Sequence, residues 1–235
     1  MIPGRQDRGV RWSELVAAAA DLLLGAQCPG CGAAGIGACP GCRAELSGAR
    51  PLVLGMAGES PLTVVAAGSY AGVSKTLLIA LKERQGLGLV GVLGRRLAVS
   101  VAVLASTRPS RRYVLVPVPS ARAQVARRGQ DVTVALARAA AVQLRRSGVS
   151  VTVASCLRHR RHVDDQAGLG IAARGKNLAG AFAFRGSVPS GEVIVIDDIV
   201  TTGATLVEAV RVLTAAGRPP LAAATVAATP RHNPR

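Results

Sequence analysis

Aromatic side chains are nearly missing from this chain. Trp12, Tyr70, Tyr113, Phe182 and Phe184 are all that its 235 residues contain. Its core must therefore be aliphatic, and Ala, Val, Leu and Gly supply the material, with 49% of residues apolar. The same scarcity argues against a stacking platform for nucleic-acid bases, which draws roughly 1–3 kcal/mol per base from aromatic rings. Lysine is also rare. Lys75, Lys82 and Lys176 are the only ones among 29 basic residues, against 13 acids and a formal net charge of +16. Between Arg84 and Arg174, sixteen arginines meet three acids, Asp131, Asp164 and Asp165. That excess favours anionic partners such as phosphates, pyrophosphate or nucleic acid. An Ala/Arg-rich composition set by genomic base bias, with a soluble charged surface, accounts for it equally well.

No membrane span is expected. The apolar stretch Leu15–Ala26 is broken by Asp21 and is too short to cross a bilayer. Arg5, Arg8 and Arg11 precede it as in a secretion signal, but no small-x-small cleavage site is clear and a CxxC pair follows directly. Ser13–Leu24 reads instead as a short helix with Ser13 as N-cap, and a cytoplasmic location is expected.

Cysteine is sparse but concentrated. Four of the five lie in CPGCGAAGIGACPGC, residues 28–42, as the pairs Cys28/Cys31 and Cys39/Cys42. Each CxxC offers two thiolates from one tight turn, and Pro and Gly at its centre suit that turn. Two such knuckles close a tetrahedral four-thiolate zinc site with no open position, so the metal would be a structural Zn2+. Two disulfides or a redox dithiol are the competing readings, and a reducing compartment disfavours disulfides. Cys156 reads as a small buried hydrophobe.

After the knuckle, residues 47–62 are rich in Gly, Pro and Ser. The expected division is 1–48 for an N-terminal helix and zinc knuckle, 49–62 for a linker, 63–230 for the main domain and 231–235 for a flexible tail. Within the main domain, strands are expected at Thr63–Ser69, Tyr113–Val116, Val149–Ala154, Val193–Ile196 and Leu221–Ala228. Helices are expected at Val73–Glu83, Leu87–Ala105, Val132–Arg146 and Ala204–Ala216, with a basic loop over Arg158–Asn177. Apolar strands alternating with helices imply an α/β fold with a parallel sheet covered on both faces. Ligands of such sheets bind at the carboxyl ends of strands.

One such end carries unusual chemistry. Residues 193–205 read VIVIDDIVTTGAT. Adjacent Asp197 and Asp198 repel one another and resist burial unless something uses them. A sugar diol can donate to both, and a hydrated Mg2+ can bridge to them. Thr201, Thr202, Gly203, Ala204 and Thr205 form a turn into a helix, where free N–H groups and the positive dipole end attract an anion. Gly203 allows close backbone approach. A plain helix cap needs one acceptor, not two acids and three threonines. A P-loop is excluded because no lysine follows the glycine.

This stretch resembles the phosphoribosyl-pyrophosphate (PRPP) motif of type I phosphoribosyltransferases. The order of YAGVSKTLLIALK (70–82), VPVP (116–119), ARRG (126–129) and DQAGLGIAARGKNLAGAF (165–182) behind a cysteine knuckle resembles the ComF family and its GntX-like relatives, from about residue 20 to 228. The resemblance implies a parallel-sheet, Rossmann-like phosphoribosyltransferase domain. It implies PRPP with Mg2+ as the bound species, Asp197 and Asp198 on the ribose hydroxyls, and Thr201–Thr205 on the 5′-phosphate. Ser120, Arg122 and Lys82 would address the pyrophosphate, and Gln166, Arg174 and Asn177 occupy family positions in the basic loop. Many relatives read RGFNQ where this chain has Arg128-Gly129-Gln130-Asp131-Val132, and some carry further cysteine pairs absent here. Arg127 and Arg128 read as a clamp or as helix-start surface, and His159 and His162 as solvated loop or closing lid. Two functions stay open. One is phosphoribosyl transfer to an unknown acceptor. The other is non-catalytic binding, including the single-stranded DNA handling and competence machinery with which some members of that family are linked. Neither acceptor nor oligomeric state is legible.

Overall fold

Apolar runs bounded by turn residues become the strands, and the segments with helical periodicity become the covering layers. The computed structural model describes residues 27–56, 61–83, 87–110, 112–160 and 180–229. The helix expected at Ser13–Leu24, and Gln166, Arg174 and Asn177 of the basic loop, lie outside these residues. In chain order the elements are α1 (Pro40–Gly48), β1 (Leu52–Met56), β2 (Leu62–Ala66), α2 (Gly72–Glu83), α3 (Leu87–Thr107) and β3 (Tyr113–Pro117). There follow α4 (Arg122–Arg128), α5 (Val132–Arg146), β4 (Val151–Val153), β5 (Leu157–His159), β6 (Phe182–Phe184), β7 (Glu192–Val200), α6 (Ala204–Ala215) and β8 (Ala222–Ala228).

Six strands form one sheet in the order β1-β2-β8-β7-β3-β4. Every pairing is parallel except β1 with β2. β5 and β6 form a separate antiparallel pair. The fold is thus mixed α/β with a mainly parallel sheet. β1 sits inside the stretch read as a linker, where its register Leu52↔Ala66 to Met56↔Leu62 against β2 supplies the order that its own composition does not.

Alternation along β7 divides the core into two layers. Ile194 and Ile196 face Leu77 of α2, Leu93 and Leu97 of α3 and Leu136 of α5. Val193 and Val195 face Leu206 and Leu213 of α6 and Phe182 of the small hairpin. Both faces are therefore covered, which is why β8 is buried along its whole length. Cys156 is buried in the second layer, as its composition-based reading expects. Gly88–Thr107 of α3 is long and apolar enough to cross a membrane, with mean hydropathy 1.7. Here its Leu89, Leu93, Leu97, Val101 and Leu104 are buried in the first layer.

The α3–α5 contact depends on one missing methyl group. A Cβ on Gly94 would collide with Ala139 Cβ and sit 3.3 Å from the Ala139 carbonyl carbon. Neither neighbour is a flexible tip that can swing away. Gly94→Ala is therefore expected to lower unfolding stability by about 1–3 kcal/mol. Gly91→Ala, exposed on the same helix with nothing within 4 Å, is expected to raise it by roughly 0.5–1 kcal/mol. Urea titration of both variants checks the pair, and equal effects would mean that the helices are not in tight contact at Gly94.

Candidate functional site

The cysteine knuckle is the more completely built of two chemical centres. Cys28, Cys31, Cys39 and Cys42 bring their sulfurs within 4.8 Å of one another. Cys28 and Cys42 are 3.7 Å apart, and Cys31 and Cys39 are 3.6 Å apart. A tetrahedron with Zn–S bonds of about 2.3 Å has edges of about 3.8 Å, so the spacing fits zinc. Backbone N–H groups already serve the sulfurs: Cys39 N donates to Cys28 Sγ at 3.3 Å and Cys42 N to Cys39 Sγ at 3.5 Å. Burial pushes the Cys28 thiol up, but N–H donors from Cys39, Cys31 and Gly30 outweigh it and bring the thiol down to about 6. Burial, with the neighbouring sulfurs, pushes Cys42 up. The knuckle packs against α2, with Cys28 and Cys42 buried in one cluster with Val73.

The second centre lies at the carboxyl end of β7. The strand runs to Val200 rather than ending at Ile196, because β8 offers partners as far as Ile199↔Ala227 and Val200↔Ala228. Asp197, paired with Thr225, and Asp198 therefore lie within the strand, with their carboxyls close enough to repel one another. Asp198 turns toward α2 and meets Lys82 at 2.6 Å, Oδ2 to Nζ, with only 10% of its side chain exposed. Asp197 accepts the Asp198 backbone N–H on Oδ1 at 2.8 Å. Burial first, and the adjacent Asp198 charge second, push the Asp197 carboxyl well above the usual range.

The chain then turns through exposed Thr201 and Thr202 to Gly203, whose φ of +84° is the left-handed value glycine tolerates. Gly203 is the N-cap of α6 and has no side chain to satisfy the first-turn N–H groups. Those groups, with the hydroxyls of Thr201, Thr202 and Thr205, remain available to an anion. Thr202 Oγ1 takes only a long 3.4 Å bond from Ala204 N. Met56, at the end of β1, closes over the glycine on its other side: a Cβ there would lie 2.7 Å from Met56 Sδ. No sequence pattern links Met56 to this turn, because the contact exists only once β1 has paired.

The remaining predicted residues divide into groups. Arg128 Nε donates to the Lys82 carbonyl at 2.5 Å, so it fixes the end of α2 beside the acids. Ser120 is turned elsewhere. Asp131 accepts from Ser120 N at 3.0 Å and Ser120 Oγ at 2.9 Å while capping α5 through Thr133 N and Val134 N. An Asp directly before a helical pattern is the signal for this role. Arg122 joins Arg158, Arg160 and Arg185 around a cleft beside the β5–β6 hairpin, away from Lys82 and the acids. Arg174 lies outside the described residues.

Two measurements follow. Metal analysis should give about one zinc per chain, lost in Cys28→Ser/Cys39→Ser, whose melting temperature should also fall; a metal-free wild type of equal stability would remove the zinc reading. The second concerns pH. Because folding raises the Asp197 pKa, the folded chain keeps a proton that the unfolded chain releases above about pH 3.9. Stability is therefore lost as pH rises from there through the folded-state value. Asp197→Asn escapes that loss, so it should melt above wild type at pH 7, with the gap closing below pH 4. A lower melting point for the variant at pH 7 would show that the carboxylate is stabilised by contacts other than these.

No family model matches this chain, and no curated protein matches it in sequence. Among solved structures, it is similar to an L. donovani hypoxanthine-guanine phosphoribosyl transferase, with TM-score 0.32 and 19% identity over 59% of this chain and 70% of that one. It is also similar to an orotate phosphoribosyltransferase from Aeropyrum pernix, with TM-score 0.31 and 13% identity over 80% of this chain and 92% of that one. Likenesses this loose have no bearing on the site.

Proposed function

We propose that the end of β7 and the start of α6 bind PRPP, and that the chain transfers its phosphoribosyl group to an acceptor with release of pyrophosphate. The observation that carries this reading is one continuous piece of chain. Two acids at the carboxyl end of a central parallel strand run into a glycine-capped, threonine-lined helix start. Acids beside an anion cradle repel the anion unless they address another part of the same molecule. A sugar phosphate has both parts, hydroxyls that donate to carboxylates and a phosphate that accepts N–H.

In this reading the 5′-phosphate sits against the N–H groups and hydroxyls of Thr201–Thr205. The ribose hydroxyls donate to Asp198 and Asp197. A hydroxyl reaching Asp198 shares or displaces the Lys82 ammonium, which then faces the departing pyrophosphate. The transition state gathers positive charge at the anomeric carbon and negative charge on the leaving group. Lys82 stabilises the latter, and Arg128 holds the α2 terminus so that Lys82 stays in reach. Mg2+ fits here as a cation arriving with the substrate's phosphates, since such ions take one or two carboxylates plus phosphate oxygens. It would supply charge neutralisation of the pyrophosphate.

Calorimetric titration of PRPP with Mg2+ should give a binding heat for wild type and at least a tenfold weaker interaction for Asp197→Asn/Asp198→Asn, roughly the loss of two charge-assisted hydrogen bonds. Equal affinity in both proteins would take the acids out of ligand binding. Pyrophosphate release across a panel of bases and amines separates transfer from binding without turnover, the rival reading.

A further inference from the structure

The hairpin of β5 and β6 builds a surface that the acid–threonine site does not use. Its register pairs Arg158 with Ala183 and His159 with Phe182. The two-residue repeat then places Arg158 and Arg160 on one face with Ala183 and Arg185. The opposite face turns Leu157 and Phe182 into the core. His159 is held edge-on to Phe182, with ring centroids 5.1 Å apart, and donates from Nε2 to the Pro119 carbonyl at 2.9 Å. That contact anchors the hairpin beside the end of β3.

Arg122, from the start of α4, completes a cleft of about 450 Å³ with Arg158, His159, Arg160, Ala183 and Arg185. Among the described residues, four guanidinium groups line it and no carboxylate does. Four like charges around one concavity repel one another, and the ligand that relieves this is a multiply charged anion held through fork-like N–H pairs. The cleft also continues. Arg160 and Ala183 line a second cleft of about 400 Å³ between the hairpin and α6, whose other walls include Phe184, Val212, Ala215 and Ala216. Arg211 on its border is already held by Glu208, at 2.7 and 2.8 Å. One half of the combined site is thus cationic. The other is mainly apolar, with the rings of Phe182 and Phe184 in its wall.

We infer that the two clefts form a single site for a nucleoside polyphosphate. The phosphates lie among Arg122, Arg158, Arg160 and Arg185, and the base lies over Phe184 and the alanines of α6. A bare polyphosphate would leave the apolar half unused, and an acyl chain would outrun it. The site is separate from the pentose-phosphate reading above: none of Lys82, Asp197, Asp198 or Thr201–Thr205 lines it.

Fluorescence-detected titration of the full chain with a fluorescent ATP analogue, displaced by ATP, tests this. Arg158→Ser/Arg185→Ser changes two exposed side chains and should weaken ATP at least tenfold, roughly what two lost guanidinium–phosphate contacts bring. Ala183→Glu places a carboxylate between the halves and should abolish binding. Tripolyphosphate should compete about fivefold or more weakly than ATP, because it lacks the stacked base. Asp197→Asn/Asp198→Asn should leave ATP affinity within about twofold, as groups outside the site do. Loss of ATP binding in that acid variant would make the cleft part of the pentose site, whether or not PRPP itself binds. Tripolyphosphate matching ATP would remove the base subsite. A dT oligonucleotide displacing the analogue far better than ATP would assign the band to nucleic acid. No ATP binding at millimolar concentration would end the proposal.

Discussion

The ion pair between Lys82 and Asp198 ties α2 to the central strand that carries the candidate site. It joins the last turn of α2 to the middle of the sheet at 2.6 Å. The first turn of α2 carries Val73, which is buried in one cluster with Cys28 and Cys42 of the knuckle. One helix therefore has the four-cysteine knuckle at one end and an acid of the candidate site at the other. Removing one partner of a fully buried pair costs roughly 3–5 kcal/mol. Lys82 keeps about a third of its side chain in water, which lowers that figure here. The pair is one of the contacts through which movement of the knuckle would reach the sheet.

A second buried cation reinforces the same geometry. Arg96 of α3 is 6% exposed and donates to the carbonyls of Ala49 and Ala67. Ala49 follows α1 and Ala67 follows β2, so one guanidinium ties the exit of the cysteine module to the sheet. Burial pulls its pKa down. Arginine starts so high that it stays charged and keeps both bonds, where a buried lysine would tend to neutralise. This explains one arginine of an arginine-rich chain by packing alone, whereas those around the hairpin cleft are exposed and serve no such purpose.

Legibility in the sequence follows how local each element's cause is. α5 reads correctly from Val132 to Arg146 because Asp131 caps it and its apolar face repeats without interruption. β3, β7 and β8 announce themselves as unbroken aliphatic runs. β1, β5 and β6 do not. Their residues Leu52–Met56, Leu157–His159 and Phe182–Phe184 are ordered by partners that the chain reaches only on folding. The site divides in the same way. The acids, threonines and glycine are contiguous and could be read together. Lys82, Arg128 and Met56 arrive from distant segments, and what each touches is a property of the fold. Strand extension to Val200 also matters, because it puts both carboxylates within the strand where the bare sequence suggests that they leave it.

Acids are scarce in this chain, and where the fold puts them is informative. Glu208 is held by Arg211 and by the Phe182 N–H, Asp198 by Lys82, and Asp131 by four donors in the α5 cap. Asp197 accepts the N–H of its own neighbour, and its carboxyl is the one burial drives upward. A chain this basic has many guanidinium groups with which to neutralise a carboxylate, yet among the described residues none is set against this one. Unfavourable electrostatics kept at the end of a central strand are characteristic of positions where a ligand completes the arrangement. A ligand that donates hydroxyl protons to Asp197, or brings a cation to it, lets the group ionise. Part of the binding free energy then comes from relieving a strain that the empty fold already contains. Under the proposed function, the acid and its adjoining threonine turn would act as one device, selecting molecules that carry both a donor-rich ring and a phosphate.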